Sequence, residues 1–498
     1  MELFNNLIFG FSVVLSQQNL FYCFLGCLGG TLIGVLPGIG PAATISMLMP
    51  ITFFLPPVAA LIMLSGIYYG AQYGGSTTSI LINLPGELSS VITCVDGYQM
   101  ARQGRAGPAL AIAAIGSFFA GTVCTLLIAV FGPSIAGVAL SFHSPEYFLL
   151  MLMSLILAAA LSKGDMRKSL PMMVVGLLFG IVGTDVDSGI KRFNFGFYEM
   201  ADGIGIVNIA VGVFAVSEVV CNLGETVDGE VFIAKVKNLW PTRDDFKKSF
   251  GPIVRGTGLG AFFGILPGIT PAIASFTSYM LEKKIAKDPS RFGNGAIEGV
   301  AGPEAANNAD AQCKFIPMLT LGIPASPVMA LMLGALMIHG IAPGPTVMIQ
   351  KPDLFWGLIV SMWVGNLMLV VLNLPLIGIW VSLLKVPYRM LFPAIIMFCC
   401  IGIYSVNNNS FDVYIMAIFG ITGVVWRMLE CSPIPMMLGF VLGPMIEENL
   451  RRALIISDGD LTVFVKRPVC LMFVIATVLI MLVMWAVGMR KRRADISG

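Results

Sequence analysis

Two stretches of the chain, GVLPGIGPAATI from Gly34 and GILPGITPAIAS from Gly264, interrupt apolar segments where a helix would be expected to run on. The first places Pro37, Gly38, Ile39, Gly40 and Pro41 in the interruption, and the second places Pro267, Gly268, Ile269, Thr270 and Pro271 there. Proline removes a backbone donor and crowds the preceding turn, while glycine admits positive φ, so both stretches read as helix breaks. In hydrocarbon a break frees N–H and C=O groups, which survive only where they are buried in protein or line a wet cavity. Pro41 and Pro271 each suit the first position of a new half-helix, and Thr270 suits the N-cap before one. The N-terminus of such a half-helix presents unsatisfied N–H donors at a positive dipole end, an arrangement suited to a carboxylate. The ten break residues are therefore expected to bind an anionic substrate.

Polar side chains inside apolar context gather near the same two places. YYGAQYGGSTTSILINLPGE supplies Ser76, Thr77, Thr78, Ser79, Asn83 and Glu87, and GPEAANNADAQCKFIPMLTLGIP supplies Glu304, Asn307, Asn308, Asp310, Lys314, Thr320 and Gly322. Polar groups within the bilayer are costly and mark substrate or ion pathways by default. Ser76, Thr77 and Thr78 are expected beside the substrate. Hydroxyls, amide oxygens and freed carbonyls are hard ligands for a small cation, so Asn83, Asn307, Asn308, Thr320 and Gly322 are expected on the cation, with Na+ fitting Asn83, Asn307 and Asn308. Plainer roles stand beside these. Ser76 to Ser79 could join helices by hydrogen bonds, Glu304 after Pro303 could decorate a helix first turn, and Asp310 with Lys314 four residues on could form an intrahelical ion pair.

The elements that hold these residues follow from composition and pattern. The chain has 498 residues, of which 57% are apolar and 12% charged, too hydrophobic for a soluble domain. Runs such as ALAIAAIGSFFAGTVCTLLIAVFG from Ala109 are long enough to span about 30 Å of hydrocarbon. A net charge of +2, with bases in short clusters, gives no sign of nucleic-acid binding. The ten cysteines form no CxxC pair, and His143 and His339 are the only histidines, so neither a zinc site nor another cofactor is expected. The N-terminus has no basic region or cleavage pattern and reads as an interfacial or first membrane helix.

The two breaks lie 230 residues apart, and a second correspondence aligns SILINLPGE, ending at Glu87, with MLTLGIPAS, ending at Ser326. The order of features is kept, which is the mark of an internal repeat. Equivalent loops carry opposite amounts of Lys and Arg. Residues 1–19 have none against KVKNLWPTRDDFKKS from Lys235, PITFFLPP has none against EKKIAKDPSR, and QMARQGRAG is basic where its counterpart holds only Lys351. Because cytoplasmic loops carry the excess of bases, the two copies read as inverted in topology. With the N-terminus outside, the Lys163, Lys385/Arg389 and RKRR segments fall inside, whereas Lys191/Arg192 and the Arg451/Arg452 stretch with Lys466 and Arg467 fit this orientation poorly. The expected fold is an all-α polytopic membrane protein with two inverted-topology repeats and about eleven to thirteen crossings or half-crossings. Its expected parts are an N-terminal helix (1–19), repeat 1 (20–134), connecting helices and loop (135–250), repeat 2 (251–382), and C-terminal helices with a basic cytoplasmic tail (383–498).

GVLPGIGPAATI, AALIMLSGIYYGAQYGGSTTSILINLPGE, DGYQMARQGRAG, GPEAANNA and TLGIP together resemble the large, TctA-type permease subunit of the bacterial tripartite tricarboxylate transporters. The resemblance runs from about Gly30 to Pro345. It implies a multi-pass secondary transporter of the bacterial inner membrane that works with a small four-helix membrane subunit and a periplasmic substrate-binding protein delivering an organic carboxylate. It further implies coupling to a Na+ or H+ gradient and an elevator-like moving part, with substrate and ion sites at the two Pro-Gly loops and the Asn307/Asn308 segment. Asp310, Gln312 and Lys314 depart from the small residues the family carries there, so the match does not extend to a named acid such as citrate. A passive channel for small anions would share the polar pore but lack coupling. An intramembrane enzyme would need a nucleophile–base or carboxylate pair, and neither histidine has an evident partner, so no enzyme is expected.

Overall fold

Two helices that matter for the site stop where asparagine or glycine sets a left-handed backbone, at Asn83 and at Gly322. The computed structural model describes residues 2–36, 39–161, 166–185, 188–224, 236, 238–383 and 388–497, with the side chains of 161, 223–224, 388–391 and 483–497 left aside. Pro37 and Gly38 lie outside the described residues, as do Lys163, Lys235, Lys237 and Lys385 of the basic loops. The described residues are mostly helical. The one strand pair among them joins Gly183–Thr184 to Lys191–Arg192.

In chain order the principal helices begin with α1 (Glu2–Val14), α2 (Gln17–Gly34), α3 (Pro41–Thr52), α4 (Pro57–Ile82) and α5 (Ala106–Ala139). They continue with α6 (Ser144–Leu161), α7 (Met166–Gly180), α8 (Arg243–Ile265), α9 (Pro271–Ile285), α10 (Glu298–Cys313) and α11 (Phe315–Leu321). The last are α12 (Pro327–Ile338), α13 (Pro352–Asn373), α14 (Ser410–Met428), α15 (Ile434–Ile456) and α16 (Pro468–Ser497). Among the described residues, α5, α13 and α14 are each long and apolar enough to cross a membrane, and α1 with α2, bent by 79°, can make a fourth span. Six shorter apolar helices of 10–17 residues accompany them. The expected eleven to thirteen segments included half-crossings of that kind. Long helices such as α4 and α8 miss the mark because glycine, hydroxyl and charged residues dilute their apolar character.

Contacts divide the chain into two compact units, 1–136 with 205–425, and 137–204 with 426–498. In the second unit α7 packs on α15 through glycines, since a methyl at Gly176 or Gly439 would overlap the Met436 or Met173 carbonyl. There, Asp185, Arg192, Glu447 and Arg451 form one charged network.

The first unit contains the same substructure twice. Gly26, Gly30 and Gly34 of α2 seat against the Met63, Ile67 and Ala71 carbonyls of α4. Gly256, Gly260 and Gly264 of α8, each 230 residues on, seat against the Gly302, Ala306 and Asp310 carbonyls of α10, each 239 residues on. Small residues let two backbones approach until their surfaces interlock, which is how helices associate where lipid removes the hydrophobic drive between them. Both central helices are thereby enclosed. Nearly every residue of α4 from Ala59 and of α10 from Gly299 is buried, so their many polar side chains face protein.

Candidate functional site: paired helix breaks around a buried polar cluster

Each copy joins its first break to a second one. In the first copy α2 ends at Gly34, and α3 starts with Pro41 at its first position after Gly40 (φ −73°, ψ 167°). The Thr78 hydroxyl of α4 donates to the Val35 carbonyl at 2.9 Å, binding the break to the last turns of α4. In the second copy α8 ends at Ile265 and α9 starts with Pro271. Gly268 sits at φ +82°, which glycine accepts without cost, and its N–H donates to the Ala325 carbonyl at 3.1 Å.

The second breaks match as well. α4 ends in a left-handed residue, Asn83 (φ 58°), two positions before Pro85, and α11 ends in left-handed Gly322 (φ 70°), two positions before Pro324. Glu87 and Ser326 then stand at the N-caps of the next helical segments. Asn and Gly are the residues that tolerate this conformation best, and it stops a helix sharply.

Thr270 occupies the N-cap position of α9 (φ −89°, ψ 149°), as its type suggests, but its hydroxyl makes no capping bond. The Ile273 N–H, the donor it would accept, turns instead to the Thr270 carbonyl at 2.9 Å, and the hydroxyl is left buried without a partner among the described residues. Pro41 and Pro271 carry no N–H at all. The donors left for an anion are the remaining first-turn N–H groups, those of Ala42, Ala43 and Ala272, which have no acceptor among the described residues.

Between the copies lies a cluster of buried polar side chains from α4, the segment after it, α5 and α10. Ser76 donates to Glu304 Oε2 at 2.6 Å, and the Thr93 hydroxyl donates to Glu304 Oε1. Asn307 donates to Glu87 Oε1 at 3.0 Å, and Ser89 donates to the same oxygen. With its amide turned to donate, Gln72 reaches Glu87 Oε2 at 3.1 Å and Asn307 Oδ1 at 3.0 Å. Asn308 donates to the Ser117 hydroxyl of α5 at 2.7 Å, and Gln312 donates to Thr125 at 3.1 Å. Glu304 is in the middle of α10 and 1% exposed, not in a helix first turn. Lys314 pairs with Asp310 as the spacing suggests, both fully buried.

Of the expected site residues, this cluster gathers Ser76, Asn307 and Asn308. Thr77 donates to the Tyr73 carbonyl of its own helix at 3.4 Å, and Thr320 likewise to Ile316 at 2.7 Å. Asn83 is exposed at its left-handed cap. Ile39 and Ile269 are buried, at 1% and 7% exposure, while Gly40, Pro41, Pro267, Thr270 and Pro271 are half-buried. The residues that sequence reasoning did not single out are Gln72, Ser89, Thr93, Ser117 and Thr125 of this cluster, with Tyr73 and Asn373 in the cleft beside it. A lone serine within the apolar run of α5 and a lone asparagine at the end of α13 were the available signals.

Comparison with known proteins places this architecture. No solved structure matches the chain. A protein from Agrobacterium vitis described as an uncharacterized 52.8 kDa protein in the TAR-I ttuC' 3'region is 59% identical over 469 residues, 94% of this chain and 93% of that protein. An uncharacterized protein in the TAR-II ttuC' 3'region of the same organism is 62% identical over 210 residues, 42% of this chain and 87% of that protein. Residues 20–438 match the tripartite tricarboxylate transporter TctA family. The stretch covers both helix breaks and the whole buried polar cluster, and the chain belongs to that family of membrane transport proteins.

Proposed function

We propose that the chain is the permease of a secondary transporter that takes up a small organic carboxylate across the bacterial inner membrane, coupled to a cation and supplied by a periplasmic binding protein. A small four-helix membrane subunit completes the assembly. Family membership supports a tripartite transporter component, and the substrate class, coupling and partners are our reading.

The observation that carries this reading is the recurrence of one device. The break after α2 is bonded to the helix that ends in the second break of its copy, by Thr78 to Val35, and the break after α8 to the second break itself, by Gly268 to Ala325. New helices start at Pro41 and Pro271 with first-turn N–H groups left over. Such termini favour a carboxylate without a buried arginine. Our assignment puts the substrate at the segments around 37–41 and 267–271 with Ser76 to Thr78, and the coupling cation at oxygens of the α10 region, where Asn307 and Asn308 lie. The copies are read as inverted in the membrane, one sliding against the other.

Energetics requires the coupling. An inside-negative potential opposes entry of an anion by about 2.3 kcal/mol per charge per 100 mV, so a dianion entering alone is driven outward. Proteoliposomes holding the permease and its membrane subunit, supplied with loaded binding protein, test this. We expect uptake against a concentration gradient only when a Na+ or H+ gradient is imposed. Uptake at full rate with neither gradient would make the protein a passive facilitator and end the proposal.

A further inference from the structure

Beside the cluster, a small cleft has Tyr73, Ser76, Ser117, Glu304 and Asn373 among its lining residues. Its open volume admits about one water-sized group. We infer that this cleft is a binding site for one sodium-sized monovalent cation, held by the Glu304 carboxylate, the Asn373 side-chain carbonyl and the Tyr73 and Ser117 hydroxyls. The inference deepens the transporter reading and rests on it only for the cation's role in coupling.

Three observations carry it. First, Glu304 is 1% exposed and accepts hydrogen bonds only from the Ser76 and Thr93 hydroxyls, with no Lys, Arg or His paired to it among the described residues. A carboxylate removed from water with no positive partner is strongly unfavourable, and a bound cation relieves this. Secondly, Tyr73 and Asn373, each 4% exposed, bring to the same cleft a phenolic oxygen and an amide oxygen without hydrogen-bond partners among the described residues. Buried polar atoms are nearly always satisfied, so two orphans at one cleft point to a missing ligand. Thirdly, the Ser117 hydroxyl accepts from Asn308, which leaves its second lone pair for a cation.

The chemistry also selects the ion. A proton on Glu304 would neutralise the carboxylate but supply only one donor to the remaining oxygens, whereas a coordinated cation serves all of them at once. One carboxylate among neutral oxygens matches a single positive charge. Calcium sites instead recruit several carboxylates and six to eight ligands, and no group of three or more acidic, histidine or cysteine side chains suited to a metal occurs among the described residues. Among the described residues neither Tyr73 nor Asn373 makes a side-chain hydrogen bond to a neighbouring helix, so changing either breaks no such bond.

The test titrates the purified full-length chain in detergent with NaCl, ionic strength being held by choline chloride, and reads equilibrium binding of radioactive sodium together with thermal unfolding. KCl and a pH series serve as parallel arms. We expect about one sodium per chain and a melting temperature that rises with NaCl but not with KCl. Tyr73→Phe and Asn373→Leu should weaken sodium binding by about tenfold or more while melting within ~3 °C of the parent in choline. A merely structural role for these residues would shift the melting temperature equally with and without sodium. The inference is overturned if the parent binds no sodium, if potassium or protons serve equally well, or if both variants bind sodium as the parent does. Carboxylate uptake measured alongside separates the two readings. Proton-driven uptake without sodium binding removes the cation site and leaves the transporter standing, whereas sodium binding without carboxylate uptake does the reverse.

Discussion

Glycines at the helix seams make the sharpest single-residue contrasts. An added methyl at Gly30 would overlap the Ile67 carbonyl, and one at Gly260 the Ala306 carbonyl, both backbone atoms that cannot swing aside. Gly258, two residues from Gly260, has nothing within 4 Å of the same added atom. Gly30→Ala and Gly260→Ala should therefore cost about 1–3 kcal/mol from overpacking, while Gly258→Ala should be neutral or slightly stabilising. Size-exclusion profiles after graded heating in detergent check the contrast, and equal behaviour at 258 and 260 would contradict the seam. The Asp310–Lys314 pair makes a second test at this scale. Lys314→Met leaves an uncompensated buried charge and should cost about 3–5 kcal/mol, whereas Asp310→Leu with Lys314→Met together should restore most of that loss. By the 239-residue shift these positions match Ala71 and Gly75 of the first copy, so the pair has no charged counterpart there.

At the scale of elements, the start of α8 shows how a polar loop is fastened to the unit. Thr242 and Asp245 form a capping box, with the Asp245 N–H donating to the Thr242 hydroxyl at 3.1 Å and the Thr242 N–H to Asp245 Oδ2 at 3.1 Å. Arg105, before α5, pairs with the same carboxylate. Burial pushes the Asp245 carboxyl up, but the bonds from Thr242 and Arg105 outweigh it and hold the group below the usual aspartate range. A carboxylate with a lowered folded pKa contributes stability above its unfolded value of about 4, and that contribution is lost as pH falls through the folded value. The melting-temperature advantage of the parent over Asp245→Asn should thus be constant from about pH 5 to 8 and shrink below about pH 4. Thr242→Ala should cost about 1 kcal/mol. The break positions were legible in sequence because Pro and Gly act locally: Pro41 and Pro271 stand at the first helical positions their type prescribes. The polar cluster was less so. Glu304, Ser117 and Asn373 are far apart in sequence, and only the packing of α10, α5 and α13 together brings them to one cleft. Thr270 shows the same limit, since its capping role was decided by which acceptor the Ile273 N–H chose.

For the whole molecule the question is the charge carried per cycle. If the proposed glutamate site holds one monovalent cation and the proposed anion sites offer only backbone donors, the substrate's own charge is not cancelled by the protein, and the accompanying cations set the sign of the transported charge. At 100 mV each net charge is worth about 2.3 kcal/mol, or a factor on the order of 50 in accumulation. An inside-negative potential opposes uptake unless at least as many cations as substrate charges enter, so the one sodium of the proposed site must be accompanied by protons or by cations held elsewhere in the assembled transporter, and one cation beyond neutrality makes the potential a driving force. We expect the latter. With a fixed sodium gradient, imposing an inside-negative potential on proteoliposomes by potassium efflux through valinomycin should accelerate carboxylate uptake, and collapsing it should slow uptake. Tyr73→Phe should need higher sodium for half-maximal uptake at either potential, because its lost oxygen lowers cation affinity and leaves the number of transported charges unchanged. Slower uptake under the inside-negative potential would mean that the substrate's negative charge outweighs its cations, and the expectation of a net positive charge per cycle would fail.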